Sequence, residues 1–360
     1  MADTSLQSLF HGLHNLLFNC VKVQPGDHLL LIGEDSDNCF FEPELCSIVA
    51  EAANKLDLTS EIILAAPVAD ASDFPEHVKH AMSRADKTIF FSRLGDQIRF
   101  NLEDSKSKNF IAYITKPDYF ASAFAQVDYN VMMNIHNMLE ERLLKSESYQ
   151  LLGDCGTFLT GELTPDRGDN TADFALELFP VMIFPPVNCH KMDGYLVIQR
   201  FVTSSSTRAY ENSTLILDDP ITATVKSGQM VAFDGSPDEI KALTSHLERA
   251  ASLTGGNPYL INSWHTGINP GTYFMGNPYE DLEKWGTIAF GSPRYTHMHA
   301  AGKDPGDVAF HLMDLSVFIN GEMIWDKGRF VFLDYPEVQA LIPDDQKHLL
   351  NSSVLNEIGF

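Results

Sequence analysis

Over the first third of the chain, short unbroken apolar runs alternate with stretches whose apolar residues return every three or four positions. His28-Leu29-Leu30-Leu31-Ile32-Gly33 follows the turn Pro25-Gly26-Asp27 and reads as a buried strand ending in glycine. Glu44 to Leu56 places Leu45, Ile48, Val49, Ala52 and Ala53 on one stripe and predicts a helix. Helical spacing also marks Leu6 to Cys20 and Phe74 to Ala85, while Glu61 to Ala65, Thr88 to Phe91 and Phe110 to Thr115 have strand character. Strands and helices in this alternation predict an α/β domain over residues 1–148, a parallel sheet with helices on both faces.

The pattern changes near Tyr149. Short alternating or β-branched segments follow, separated by clusters of Gly, Pro, Asn and Asp: Tyr195 to Phe201, Ser213 to Leu217, Ile221 to Val225, Gln229 to Phe233, Gly286 to Phe290 and Leu315 to Ile319. Asn320-Gly321 is a hairpin turn between the last of these and Glu322 to Trp325. Asp238 to Ser252 is the clear helix of this part, opened by Ser236 as N-cap and Pro237 at the first helical position. Residues 149–360 are therefore predicted to form a β-rich α+β domain. Ser204-Ser205-Ser206 reads as polar loop, and Glu280, Asp281 and Glu283 as a solvated helix start.

Composition narrows the function classes. With 44% hydrophobic residues in 360, the chain can bury enough apolar surface to fold. Apolar runs are far shorter than the roughly 20 residues a membrane helix needs. The first ten residues lack a basic segment and an apolar core, so no signal peptide is expected and a cytoplasmic location is. Against 25 basic side chains stand 49 acidic ones, a net charge of -24 that repels nucleic acid and anionic membrane surfaces alike. Five cysteines without a C-x-x-C pair suit a reducing compartment and structural thiols. After the first strand, Gly33-Glu34-Asp35-Ser36-Asp37-Asn38 has one glycine and three acids, so no phosphate cradle and no nucleotide cofactor is expected. There is no G-x-S-x-G elbow for a hydrolase triad.

The chemistry concentrates on histidine. Four of the 13 histidines, His265, His297, His299 and His311, fall in one short stretch. His297 and His299 form an H-x-H, and on an extended chain both rings face the same way. Asp307, Ala309 and His311 share a face if Asp307 to Asp314 is a strand. Neutral imidazoles with one carboxylate are a ligand set for zinc or non-haem iron. Loop histidines bonded to backbone carbonyls are the competing reading. Cys189 beside His190 is a sequence neighbour pair, not a productive thiol–imidazole couple.

Gly267-Ile268-Asn269-Pro270-Gly271, Gly286-Thr287-Ile288-Ala289-Phe290-Gly291 and the stretch from Asp307 to Gly321 resemble the aminopeptidase T-type metallopeptidases in order and spacing. That superfamily includes 2,5-dihydroxypyridine 5,6-dioxygenase, a non-haem iron enzyme. The resemblance implies an α/β front half, a β-rich second half, a homodimer and a metal centre. It also departs from the family's ligands: Ser263 stands at the position of a metal-binding Glu or His, and no histidine occupies the Gly286–Gly291 motif. Counting back from Asn320-Gly321 sets Asp307 and Ala309 at the family's H-x-D. Either the ion has moved along the same strands or the site is lost.

The leading expectation is a mononuclear Fe(II) oxygenase acting on a small substrate, aromatic rings included. His265, Asp307 and His311 are the expected metal ligands; His297 and His299 are expected as acid–base groups or a further ligand, and Tyr295 to orient a substrate oxygen. Two alternatives stand beside it. One is an aminopeptidase-like hydrolase of short peptides with a rearranged zinc site; the other is a metal-free peptide- or small-molecule-binding protein on a degenerate peptidase fold.

Overall fold

The computed structural model describes residues 9–99, 108–163, 176–180, 183–184, 186–205 and 209–360. Residues 6–8 of the first predicted helix and Ser206 lie outside this set. The chain is helical from residue 9 to Cys20, its last turns, Asn15–Cys20, being π-helical.

Strand β1 (His28–Glu34) is the buried run predicted from the sequence; Leu29 to Ile32 are fully buried. It is followed by α1 (Glu44–Asn54), β2 (Thr59–Ala65), α2 (Glu76–Arg84), β3 (Lys87–Phe91), α3 (Arg93–Ile98) and β4 (Asn109–Ala112). These strands make a parallel five-stranded sheet in the order β2-β1-β3-β4-β7. Its last member, β7 (Glu177–Phe179), comes from beyond residue 149, so the second part of the chain returns a strand to the first sheet. Ser92, directly after β3, caps α3 by accepting from the Leu94 N–H. That cap sets the start of α3 and with it the placement of Asp96 and Arg99 beyond the carboxyl end of β3. Crevices for ligands form at this end of parallel sheets.

After the helix α4 (Tyr129–Leu144) the chain enters an antiparallel sheet of thirteen strands. They are β5 (Ser148–Leu152), β6 (Phe158–Glu162), β8 (Val187–Asn188), β9 (Met192–Ile198), β10 (Phe201–Ser204), β11 (Leu215–Ile216), β12 (Ile221–Lys226), β13 (Gln229–Asp234), β14 (Asn257–Thr266), β15 (Tyr295–Gly302), β16 (Val308–Met313), β17 (Ser316–Ile319) and β18 (Glu322–Trp325). β14, β15 and β16 are neighbours, with β10 beyond β16. β15 is buried along its whole length. The Asn320-Gly321 hairpin is where the sequence puts it.

Two helices interrupt this sheet, α5 (Pro237–Thr254) and α6 (Leu282–Ala289). The second replaces the strand expected over Gly286 to Phe290. Asp281 accepts from the N–H groups of Glu283 and Lys284, a side-chain cap that commits the run to helix, and Trp285 and Ile288 are fully buried. A short apolar run does not distinguish the two states by periodicity, and the cap decides. Among the described residues no helix is long and apolar enough to cross a membrane. All five cysteines are free; burial pushes the Cys46 thiol up to about 12, as befits a packed and unreactive group.

Candidate metal centre

The register of the central strands assembles the histidines. His265 on β14 lies opposite His297 on β15, which lies opposite His311 on β16. One rung along, Ser263, His299 and Ala309 are aligned in the same way. Residues two apart on a strand share a face, so two adjacent rungs put all four rings on one side of the sheet. Ser263 and Ala309, the positions that match ligands of the resembled family, thus flank His299, while the other three imidazoles occupy the next rung.

His265, His297 and His299 have ligand nitrogens that all lie within 4.8 Å of one another, and the three are buried. The Nε2 atoms of His265 and His299 are 3.1 Å apart. Two metal–nitrogen bonds of ~2.1 Å at roughly a right angle produce a separation of about 3 Å, so the spacing fits two imidazoles on one ion. His265 Nδ1 donates to the Phe184 carbonyl at 3.4 Å, which leaves its Nε2 lone pair aimed at His299. A backbone carbonyl behind the outer ring nitrogen is the usual support of a metal-bound histidine. The Nδ1 atoms of His297 and His299 are buried without a hydrogen-bond partner. Buried orphan nitrogens call for an explanation, and a site built for an ion or water supplies one. The three histidines could hold a metal.

Burial keeps all four rings neutral, the form that binds metal. It holds His299 and His311 down at about 3, with the Arg99 guanidinium adding to the effect at His299 and His299 itself adding to it at His311. His265 and His297 are driven well below the usual imidazole range, first by burial and then by their neighbours, Arg99 included.

His311 has a different situation from the other three. Thr203 Oγ1 spends its hydrogen on the Ser204 carbonyl at 2.9 Å, so toward His311 it accepts, and His311 Nε2 donates to it at 3.0 Å. The His311 Nδ1 lone pair then receives the Tyr295 hydroxyl in a short hydrogen bond. Both nitrogens of His311 are engaged. Tyr295 stacks between His297 and His311, with ring centroids 5.4 and 5.6 Å away, and burial raises its phenol above the ordinary range.

Asp307 stands apart from the group. Its carboxylate accepts from Thr254 Oγ1 at 2.8 Å, at the end of α5 and against Gly302. β16 begins one residue later. Among the described residues, the group that could hold an ion is His265, His297 and His299, without Asp307 or His311.

A small cavity opens beside the cluster, about 40 Å³ in volume. His297, His299, His311 and Tyr295 line it, together with residues that sequence alone did not single out. Asp96 on α3 and Arg99 just after it enter from the first domain, and Thr203, Ser204 and Glu283 are also in the wall. Arg99 Nη1 donates to Asp96 Oδ1 at 3.2 Å, and Tyr113 donates to the same oxygen at 2.6 Å. Burial pushes the Asp96 carboxyl up, while Arg99 pulls it down. Glu283, expected on a solvated helix start, instead accepts from the hydroxyls of Ser204, at 3.0 Å, and Ser213. Ser204 has the same outcome: it reads as loop and ends β10 at the cavity wall.

No family model matches the sequence, and no curated protein matches it. Solved structures do match. The 2,5-dihydroxypyridine dioxygenase of Pseudomonas putida KT2440 superposes with a TM-score of 0.60 at 12% identity, over 90% of this chain and 96% of that one. AmpT from Thermus thermophilus superposes with a TM-score of 0.54 at 10% identity, over 91% of this chain and 99% of that one. The chain thus has the aminopeptidase T-like two-domain fold, a parallel sheet with helices joined to a large antiparallel sheet.

Proposed function

We propose that this protein is a metal-dependent enzyme that holds one iron(II) ion on His265, His297 and His299 and oxidises a small organic substrate with dioxygen. The observation that carries the reading is the cluster of three buried, neutral imidazoles on adjacent strands. Iron(II) supplies redox chemistry with dioxygen that organic side chains lack.

The chain's own residues do the rest. The strand register fixes the three rings, and the carbonyl of Phe184 orients His265. Tyr295 presents its hydroxyl at the cavity wall with the proton held against His311 Nδ1, where it can orient a substrate oxygen. Phe290 and Tyr295 keep that side apolar and limit water. A two-metal peptidase centre would need carboxylates free to bridge ions. The cavity's two carboxylates are tied, Asp96 to Arg99 and Tyr113, and Glu283 to Ser204 and Ser213. That favours a mononuclear centre over the aminopeptidase alternative.

Elemental analysis of protein purified without chelator or immobilised metal, anaerobically and in air, tests the reading. Iron near one per chain is expected. Zinc in its place would move the reading to hydrolysis, and failure to take up any metal on titration would leave a binding protein on this fold.

A further inference from the structure

Among the hydroxyl groups in the cavity wall are those of Thr203, Ser204, Thr287 and Tyr295, and each has one hydrogen to give. Each hydrogen is spent on the protein. Ser204 donates to Glu283 Oε1, and Thr287 donates to the Glu283 carbonyl at 3.1 Å. The other two are fixed through His311. The Ser204 carbonyl can only accept, so the Thr203 hydroxyl points at it and takes the His311 Nε2–H on its oxygen. Burial keeps His311 neutral with a single N–H, which leaves Nδ1 as a lone pair, and Tyr295 donates to it. The chain of donors thus runs one way, from Tyr295 through His311 and Thr203 to a backbone carbonyl. What remains on the phenol oxygen, the one polar atom of the Tyr295 side chain, is a lone pair.

We infer that Tyr295 meets the substrate as a hydrogen-bond acceptor, so that the cavity selects a small molecule presenting a hydroxyl or amino hydrogen there and rejects one presenting a carbonyl or ether oxygen. The assignment deepens the proposed function and rests on it only for the reacting centre, placed here because His297 and His299 line the same cavity. A ligand carbonyl against Tyr295 would set lone pair against lone pair in a buried space. Turning the phenol to meet it would strand the His311 Nδ1 lone pair, and reversing the whole chain would take the Thr203 hydrogen from the Ser204 carbonyl. Either change loses a buried hydrogen bond. A site built around the hydrogen bond of a substrate rejects an analogue lacking that hydrogen more sharply than an apolar pocket rejects a methylene. His311 and Thr203 act through Tyr295, as positioning residues. The cavity's 40 Å³ is room for about three water-sized bodies, which suits a ligand of few heavy atoms.

The test uses full-length, metal-free protein with isotope-labelled histidines, because nitrogen NMR reports which ring nitrogen carries the hydrogen. His311 is expected to carry it on Nε2 in the unaltered protein and in Thr203→Ser. Thr203→Val keeps the shape but not the acceptor, and there the preference for Nε2 should be lost. Isopropanol and acetone are then titrated into the same proteins and into Tyr295→Phe. The two share a heavy-atom skeleton, but only the alcohol donates. Isopropanol should bind the unaltered protein at least ~10-fold more tightly than acetone, the scale of one buried hydrogen bond. Thr203→Ser should retain that preference, whereas Thr203→Val and Tyr295→Phe should bring the two ligands to within about twofold of each other. Acetone bound as tightly as isopropanol by the unaltered protein, binding of neither, or a His311 hydrogen on Nδ1 overturns the assignment. An undiminished preference in Tyr295→Phe overturns it as well, and this arm decides should Thr203→Val not fold. Iron retained by a protein that prefers neither ligand removes the assignment alone. Alcohol preference in a protein that refuses iron keeps the acceptor and removes the oxygenase reading.

Discussion

Single residues here are decided by what holds each ring nitrogen. His265 points one nitrogen at a carbonyl and the other at His299, whereas both nitrogens of His311 are occupied by hydroxyl groups. Replacing His265, His297 or His299 with alanine is therefore expected to cut retained metal at least ~10-fold, the scale on which metal sites respond to loss of support. His311→Ala should keep its metal, because the ring is a hydrogen-bond partner of Tyr295 and Thr203. Elemental analysis after exhaustive dialysis separates the two outcomes, and metal loss in His311→Ala would place that ring among the ligands. The same burial makes stability depend on pH. An unfolded histidine takes a proton near 6.5, while folded His299 and His311 resist until about 3. As the pH falls through that window the unfolded state binds more protons, so stability present above pH 6.5 is progressively lost. Each such ring contributes a slope of about 1.4 kcal/mol per pH unit. Urea unfolding of metal-free protein from pH 7 to 4 should show it, and His299→Asn should flatten the slope by about one proton. An unchanged slope would mean that His299 is not buried neutral.

Elements bring these residues together through contacts that leave no room for side chains. A Cβ on Gly267, just past the end of β14, would fall 2.1 Å from the carbonyl carbon of Gly291 and 2.4 Å from the Ser292 nitrogen. Backbone cannot yield as a flexible side chain does. Gly267→Ala should therefore cost on the order of 3 kcal/mol, the upper range of overpacking, and weaken metal retention by shifting β14 against β15. The urea midpoint reads the first effect and dialysis the second; a midpoint unchanged within error would show that the turn can open without strain. Both glycines belong to the landmark motifs noticed in the sequence, so the fold was legible there for a physical reason: these are places where two backbones meet. The H-x-H pair was legible too, since alternation on a strand needs no tertiary knowledge. The partnership of His265 with His299 was not, because it depends on the register between strands separated by α6 and its flanking loops. Nor was the setting of Asp307, whose carboxylate accepts from Thr254 Oγ1 at the end of α5, a contact between segments that strand alternation does not reveal.

The whole molecule makes its cavity from two domains, and this is why Asp96 and Arg99 escaped a reading made segment by segment. More than 160 residues separate Arg99 from His265 in the chain, and no local pattern links them. The domains are joined by more than that cavity. Asn269 donates to the carbonyls of Phe124 and Pro180 while its own oxygen accepts from Gly271, and Tyr113 packs edge-on against Phe290 with centroids 4.8 Å apart. β7, although it follows residue 149, completes the first sheet. A fragment of residues 149–360 would lose β4, the partner strand of β7, the Phe124 carbonyl that receives Asn269, and the Arg99 side of the cavity. It would also expose the apolar wall at Phe290 to water. Such a fragment is expected to melt without a cooperative transition and to take up less than a tenth of the cobalt bound by the full chain. Calorimetry and cobalt titration check both expectations. A fragment that melts cooperatively and binds cobalt in full would show that the antiparallel sheet builds its histidine centre alone, with the first domain confined to recognising substrate.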